Sequence, residues 1–160
     1  MISRNNVRSD VIAARKNFFR GLAQYIDANP LPFKIKGMSA NDEFNLLIQR
    51  SLHFCLRISL KAANIIQFEI WIRGNEREEK FEKLLKRKEE CASLFGVIHW
   101  DERNCLEFKY VLINYNAQMS FLQDESEWPG FYKIIIQRLT SMYDYFFPIL
   151  CDSPEKGRWV

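Results

Sequence analysis

The chain has 160 residues, 48% of them hydrophobic and 14% aromatic, and a formal net charge of +3. That is enough apolar material for one domain with a real core and too much for a disordered chain. No apolar run approaches the roughly 20 residues needed to span a bilayer, and "MISRNNVRSD" has no apolar core of the secretory kind, so a cytoplasmic protein without membrane contact is expected.

The charge is uneven. Residues 1–36 carry seven basic and two acidic side chains, so this segment is +5 and the remainder −2. The first helix is expected to start at Ser9 or Asp10, either of which can cap it, and to end at Asn29, because the residue before Pro30 resists helix. Val11, Ile12, Phe18, Phe19, Leu22 and Ile26 recur at helical spacing and form its apolar face. Arg20 lies off that stripe and Lys16 at its border, whereas Arg15 falls near its middle, where a paired guanidinium is expected.

After a proline-containing loop, "FNLLIQ" (44–49) fits a strand or a helix equally well. From His53 the alternation is clear: Phe54, Leu56, Ile58 and Leu60 point one way, and Cys55, Arg57, Ser59 and Lys61 the other. The next run repeats it, with Ile66, Phe68, Ile70 and Ile72 facing a core and Gln67, Glu69, Trp71 and Arg73 facing away. Two alternating runs joined by a short turn predict an antiparallel hairpin with one packed and one polar face. The charged block that follows predicts one long helix capped by Asn75 with Glu78 completing the box; Phe81, Leu84, Leu85, Cys91, Ala92 and Phe95 are buried and Gly96 stops it. Short strands at 97–100 and 106–113 predict a second hairpin around "DERN". A last helix opens at Trp128-Pro129, buries Phe131, Ile135, Leu139, Met142 and Phe146, and closes at Phe147-Pro148.

The expected fold is therefore α+β, in the order α-β(β)β-α-ββ-α. An antiparallel sheet of two β-hairpins, four to five strands in all, carries three helices on one face. Residues 1–8 are expected to be a flexible N-terminus, 9–150 a single domain, and 151–160 a flexible tail.

Chemistry is sparse. The chain has no phosphate-binding glycine loop and no nucleophile elbow, and its four cysteines and two histidines lack metal-site spacing, so no cofactor and no metal are expected. No catalytic site is assigned. The nearest approach to one is Asp101 followed by Glu107-x-Lys109, the skeleton of a metal-dependent nuclease, in which two carboxylates would hold Mg²⁺ and the lysine would stabilise phosphate charge. The plainer reading puts Glu107 and Lys109 on the polar side of a half-buried strand. Binding of a protein partner, of a second copy or of nucleic acid would fall to Trp71, Arg73 and Arg57 on the open sheet face, and to Lys16 and Arg20 on the basic first helix.

Three stretches carry a resemblance: "NFFRGLAQYI" (17–26), "FEIWIRGNEREEKFEKLLKRKEECASLFGVIHW" (68–100) and "EWPGFYKIIIQRLTSMYDYFFPIL" (127–150). They resemble the bacterial and archaeal domain of unknown function number 4268, in its aromatic opening helix, its strand-turn-helix ending on glycine and Trp, and its closing helix framed by W-P and F-P. The chain departs from that pattern at Leu52, where a glycine is usual. The resemblance implies an accessory role near DNA, since such domains often sit beside restriction-nuclease-like domains. It supplies no catalytic motif that Glu107 and Lys109 match. The leading expectation is thus a non-enzymatic protein-interaction or self-association module. A DNA-associated accessory domain comes second, and a divergent metal-dependent nuclease third.

Overall fold

A computed structural model describes residues 4–29, 45–50, 54–62, 64–103, 107–117 and 124–150. Helix α1 (Arg4–Ala28) leads into strands β1 (Asn45–Arg50), β2 (Phe54–Ala62) and β3 (Ile65–Ile72). Helices α2 (Arg77–Leu85) and α3 (Lys88–Phe95) follow, then β4 (Ile98–Trp100), β5 (Lys109–Asn116), a 3₁₀ turn and α4 (Trp128–Leu150). The expected α+β class holds. The five strands form one antiparallel sheet in the order β1-β2-β3-β5-β4. The path from β3 through α2 and α3 lands on the sheet edge as β4, and β5 then returns to fill the gap beside β3.

Alternation decides which side chains meet the helices. Leu56, Ile58, Ile66, Phe68, Ile70, Val111 and Ile113 are at most 2% exposed and meet Phe18, Phe19 and Leu22 of α1 and Ile135 and Leu139 of α4 in one core. Tyr132 of α4 donates its hydroxyl to the Phe18 carbonyl (2.7 Å), and Phe18 packs edge-on against Trp128. Among the described residues no helix is long and apolar enough to cross a membrane.

Several boundaries differ from expectation. α1 begins at Arg4, so residues 4–8, expected to be flexible, are helical; residues 151–160 lie outside the described residues. Arg15 is half-buried and donates from Nη1 to the Leu60 carbonyl (3.3 Å). The single long helix is two helices, separated at Lys86 and Arg87. There the Arg87 amide turns to Leu84, three residues back, before regular bonding resumes at Cys91. Asn75 does not cap α2. Gly74, at φ +90°, turns the chain sharply, Glu76 becomes the cap residue, and no side chain caps it. Strand β5 starts and ends three residues later than the sequence suggested. Phe131 is half-buried while Tyr132 takes the core position, and α4 runs through the exposed Pro148 to Leu150. Proline leaves the Asp144 carbonyl without its helical donor, but both residues are exposed and water can supply one.

Candidate interaction face of the sheet

The side chains that alternate away from the core form a lattice of rungs across β2, β3, β5 and β4. Strand register sets the rungs: Cys55–Trp71–Tyr110, Arg57–Glu69–Leu112–His99 and Ser59–Gln67–Asn114. Glu69, expected to be exposed, is buried, and the reason lies in its neighbours. Its Oε1 accepts from Arg57 Nη2 (2.8 Å), Arg57 Nε (3.3 Å) and Trp71 Nε1 (3.0 Å). On the next rung Gln67 donates to Asn114 (2.9 Å).

The half-exposed Trp71 is the hub of this lattice. The Arg57 guanidinium sits 5.6 Å from its ring centre, and Phe108 (4.7 Å) and Tyr110 (5.4 Å) pack against it. Beyond them Arg103 covers both Tyr110 (4.7 Å) and Phe108 (5.6 Å). Two guanidiniums, Arg57 and Arg103, therefore bracket three aromatic rings, and each gains cation–ring attraction there.

Asp101 anchors the far end. Its side chain is fully buried, and its Oδ1 accepts from the Arg103 amide (2.9 Å) and Nε (2.8 Å). Its Oδ2 accepts from Arg103 Nη2 (2.8 Å) and the Tyr110 amide (3.3 Å). Burial alone would raise this carboxyl, but the Arg103 guanidinium and the two amides together hold it below the ordinary carboxylate value. Asp101→Ala is expected to cost about 1–3 kcal/mol, measured by urea denaturation, and toward the lower end because Arg103 can return to water. The pH dependence has a defined sign. A carboxyl with a depressed folded pKa contributes fully above its unfolded value and loses that contribution as pH falls through the folded one. Acid titration should therefore narrow the stability gap between wild type and Asp101→Ala, and a gap that widens in acid would contradict this assignment.

The expected site residues separate. Trp71 and Arg57 meet, and Arg73 lies half-buried just beyond the end of β3. Lys16 and Arg20 sit on α1 in the helix layer, on the other side of the sheet from Trp71, with Arg20 exposed. The nuclease-like trio is not assembled. Lys109 points inward, 5% exposed, against the Phe81 ring (5.2 Å), and its Nζ donates to the Arg103 carbonyl. Glu107 is exposed at a bend before β5 rather than on the strand, and both Asp101 oxygens are already filled. Among the described residues no three His, Cys, Asp or Glu side chains are placed to hold a metal ion. Phe108 and Tyr110 are hidden from the sequence because β5 takes the register opposite to the expected one, and Arg103, in the loop after β4, is placed by its pair with Asp101. The polar Asn114 and Asn116, which share Tyr110's parity, were the available signal.

No family model and no curated protein matches the chain. Among solved structures it is similar to YbjN, a proposed transcription regulator from E. coli, at 12% identity and a TM-score of 0.39, over 79% of this chain and 91% of that one. A likeness at that level says nothing about which residues act.

Proposed function

We propose that this α+β domain is a non-enzymatic protein-interaction module whose contact surface is the Trp71 face of the sheet. The supporting observation is the half-exposed Trp71 held between Arg57, Phe108 and Tyr110. Buried interface centres are enriched in Trp, Tyr and Arg, and anchors already rigid in the free protein lose least on binding. The charge pattern favours protein over nucleic acid here. Arg57 is neutralised by Glu69 and Arg103 by Asp101, whereas a groove tracking phosphates needs cations left over. A cytoplasmic address belongs to the same proposal, and the unbridged thiol of the buried Cys91 supports it.

Crosslinking with mass spectrometry on cells expressing the wild type or Trp71→Ala tests this reading. Crosslinks from the sheet face to a partner are expected in the wild type and lost in the variant, with the melting temperature kept within a few degrees. An unchanged set of crosslinks would sink the proposal. A DNA-associated role, which the family resemblance implies, draws support from the +5 first segment with its exposed Arg20. It requires salt-dependent duplex binding that weakens on Lys16→Glu and Arg20→Glu but survives Trp71→Ala.

A further inference from the structure

We propose that the outer edge of β4 is where two copies of this chain meet, β4 against β4 across a two-fold axis, extending the sheet from one copy into the next. Among the described residues β4 is the last strand of the sheet beyond β5. Its pairing sets Ile98 against Ile113, His99 against Leu112 and Trp100 against Val111. The Asp101 amide donates to the Tyr110 carbonyl (3.1 Å), which continues the same register by one pair. In an antiparallel ladder, alternate residues exchange hydrogen bonds with the same neighbour. Asp101 and His99 therefore turn their backbone groups toward β5, and Ile98 and Trp100 turn theirs outward.

Two outward residues spaced by one form a self-complementary set. Related by a two-fold axis through His99, Ile98 of one copy faces Trp100 of the second, Trp100 faces Ile98, and four hydrogen bonds close without a remainder. The strand carries no side-chain guard against such pairing: "IHW" contains no lysine, acid or proline. Its shortness limits the ladder to those four bonds, so apolar contact must contribute. The two large hydrophobic residues most exposed among those described flank this edge, Leu94 (57%) in the last turn of α3 and Val97 (66%) immediately before β4. Extending the sheet brings the helix layers of both copies side by side at α3 and removes water from Leu94. On the opposite face Val97 lies diagonal to His99 of the second copy.

The same symmetry makes the contact sensitive to charge at position 99. The two His99 side chains, exposed in one chain, become a non-hydrogen-bonded cross-strand pair, the closer of the two pair types. Around each imidazole, β5 places Leu112 opposite and Tyr110 and Asn114 on the diagonals, and β4's own face continues to Asp101, which Arg103 already holds. Glu102 and Arg103, exposed in the next loop, are of opposite sign. Asp101 is taken up by Arg103 and Glu102 lies in the loop beyond the strand, so like charges placed at position 99 of both copies would repel across the axis.

Sedimentation equilibrium on the full chain tests the proposal. The wild type is expected to be a dimer at about pH 8. At that pH His99→Gln should dimerise as the wild type does, and His99→Lys should weaken the dimer at least about tenfold. His99 is exposed and outside the core, so both variants should keep the wild-type circular dichroism spectrum and melting temperature. Trp71→Ala should leave the mass unchanged, which separates this edge from the partner-binding face. A wild type that stays monomeric at pH 8 up to its solubility limit would overturn the proposal, as would a dimer that His99→Lys leaves intact or that Trp71→Ala dissolves.

Discussion

Phe68→Ala is expected to destabilise the domain by about 3–5 kcal/mol, read as a fall in the urea midpoint with little change in slope. Phe68 lies in β3, the middle strand of the sheet, paired with Ile58 of β2 and Ile113 of β5, and all three are fully buried. Truncation removes the ring's transfer free energy and leaves a cavity that two flanking strands cannot close. A single domain has about 5–15 kcal/mol in total, so this variant should populate its unfolded state measurably at 37 °C. A loss below about 1 kcal/mol would mean that Phe68 does not sit where the register puts it. The contrast with its near neighbour Trp71 is informative. That residue faces the other way, so its truncation should remove partner contacts while the fold survives. Under the proposed function, one strand would carry stability on one face and recognition on the other.

How much of this was legible in the sequence follows from how many physical requirements each element satisfies. The β2–β3 hairpin could be read because Phe54 to Leu60 and Ile66 to Ile72 keep strict apolar alternation over their lengths. The core stripe of α4 could be read for the matching reason at helical period, save that Tyr132 replaced Phe131. Strand β5 could not. In "KYVLINYN" both parities carry apolar residues, since Val111 and Ile113 compete with Tyr110 and Leu112, and the period alone does not say which faces the helices. That ambiguity put Lys109 on the polar side when it is buried, and it hid Tyr110 and Phe108 from the Trp71 cluster. The burial of Glu69 was hidden differently. Its three donors come from two strands, so only the register, not the composition, shows that a carboxylate there is satisfied. The break between α2 and α3 also escaped, because Phe81, Leu84, Cys91 and Phe95 keep one helical phase across it. Strand order is a third kind of gap: no pattern in the chain says that β5 rather than β4 lies beside β3.

Gly21 makes the last prediction, and here the glycine matters for the space it leaves. A Cβ built on Gly21 would lie 2.4 Å from the Tyr132 hydroxyl oxygen and 3.2 Å from Cζ. Tyr132 cannot swing aside easily. It is 4% exposed, its hydroxyl is held by the Phe18 carbonyl, and Phe18 and Tyr25 crowd its ring at 5.1 and 5.7 Å. Gly21→Val should therefore cost about 2–3 kcal/mol through forced separation of α1 from α4. Gly21→Ala sets two effects against each other. Alanine gains about 1 kcal/mol over glycine in a helix interior, against about 1–3 kcal/mol of overpacking, so the net should be a loss. Tyr132→Phe removes the clashing oxygen and one hydrogen bond, at about 0.5–1.5 kcal/mol by itself. In that background Gly21→Ala should turn neutral or stabilising. The four proteins form a double-mutant cycle, and urea denaturation of each should yield a coupling of at least about 1 kcal/mol. Additive effects within about 0.3 kcal/mol would show that the two side chains do not compete for this space, and that something other than the α1–α4 approach selects glycine at position 21.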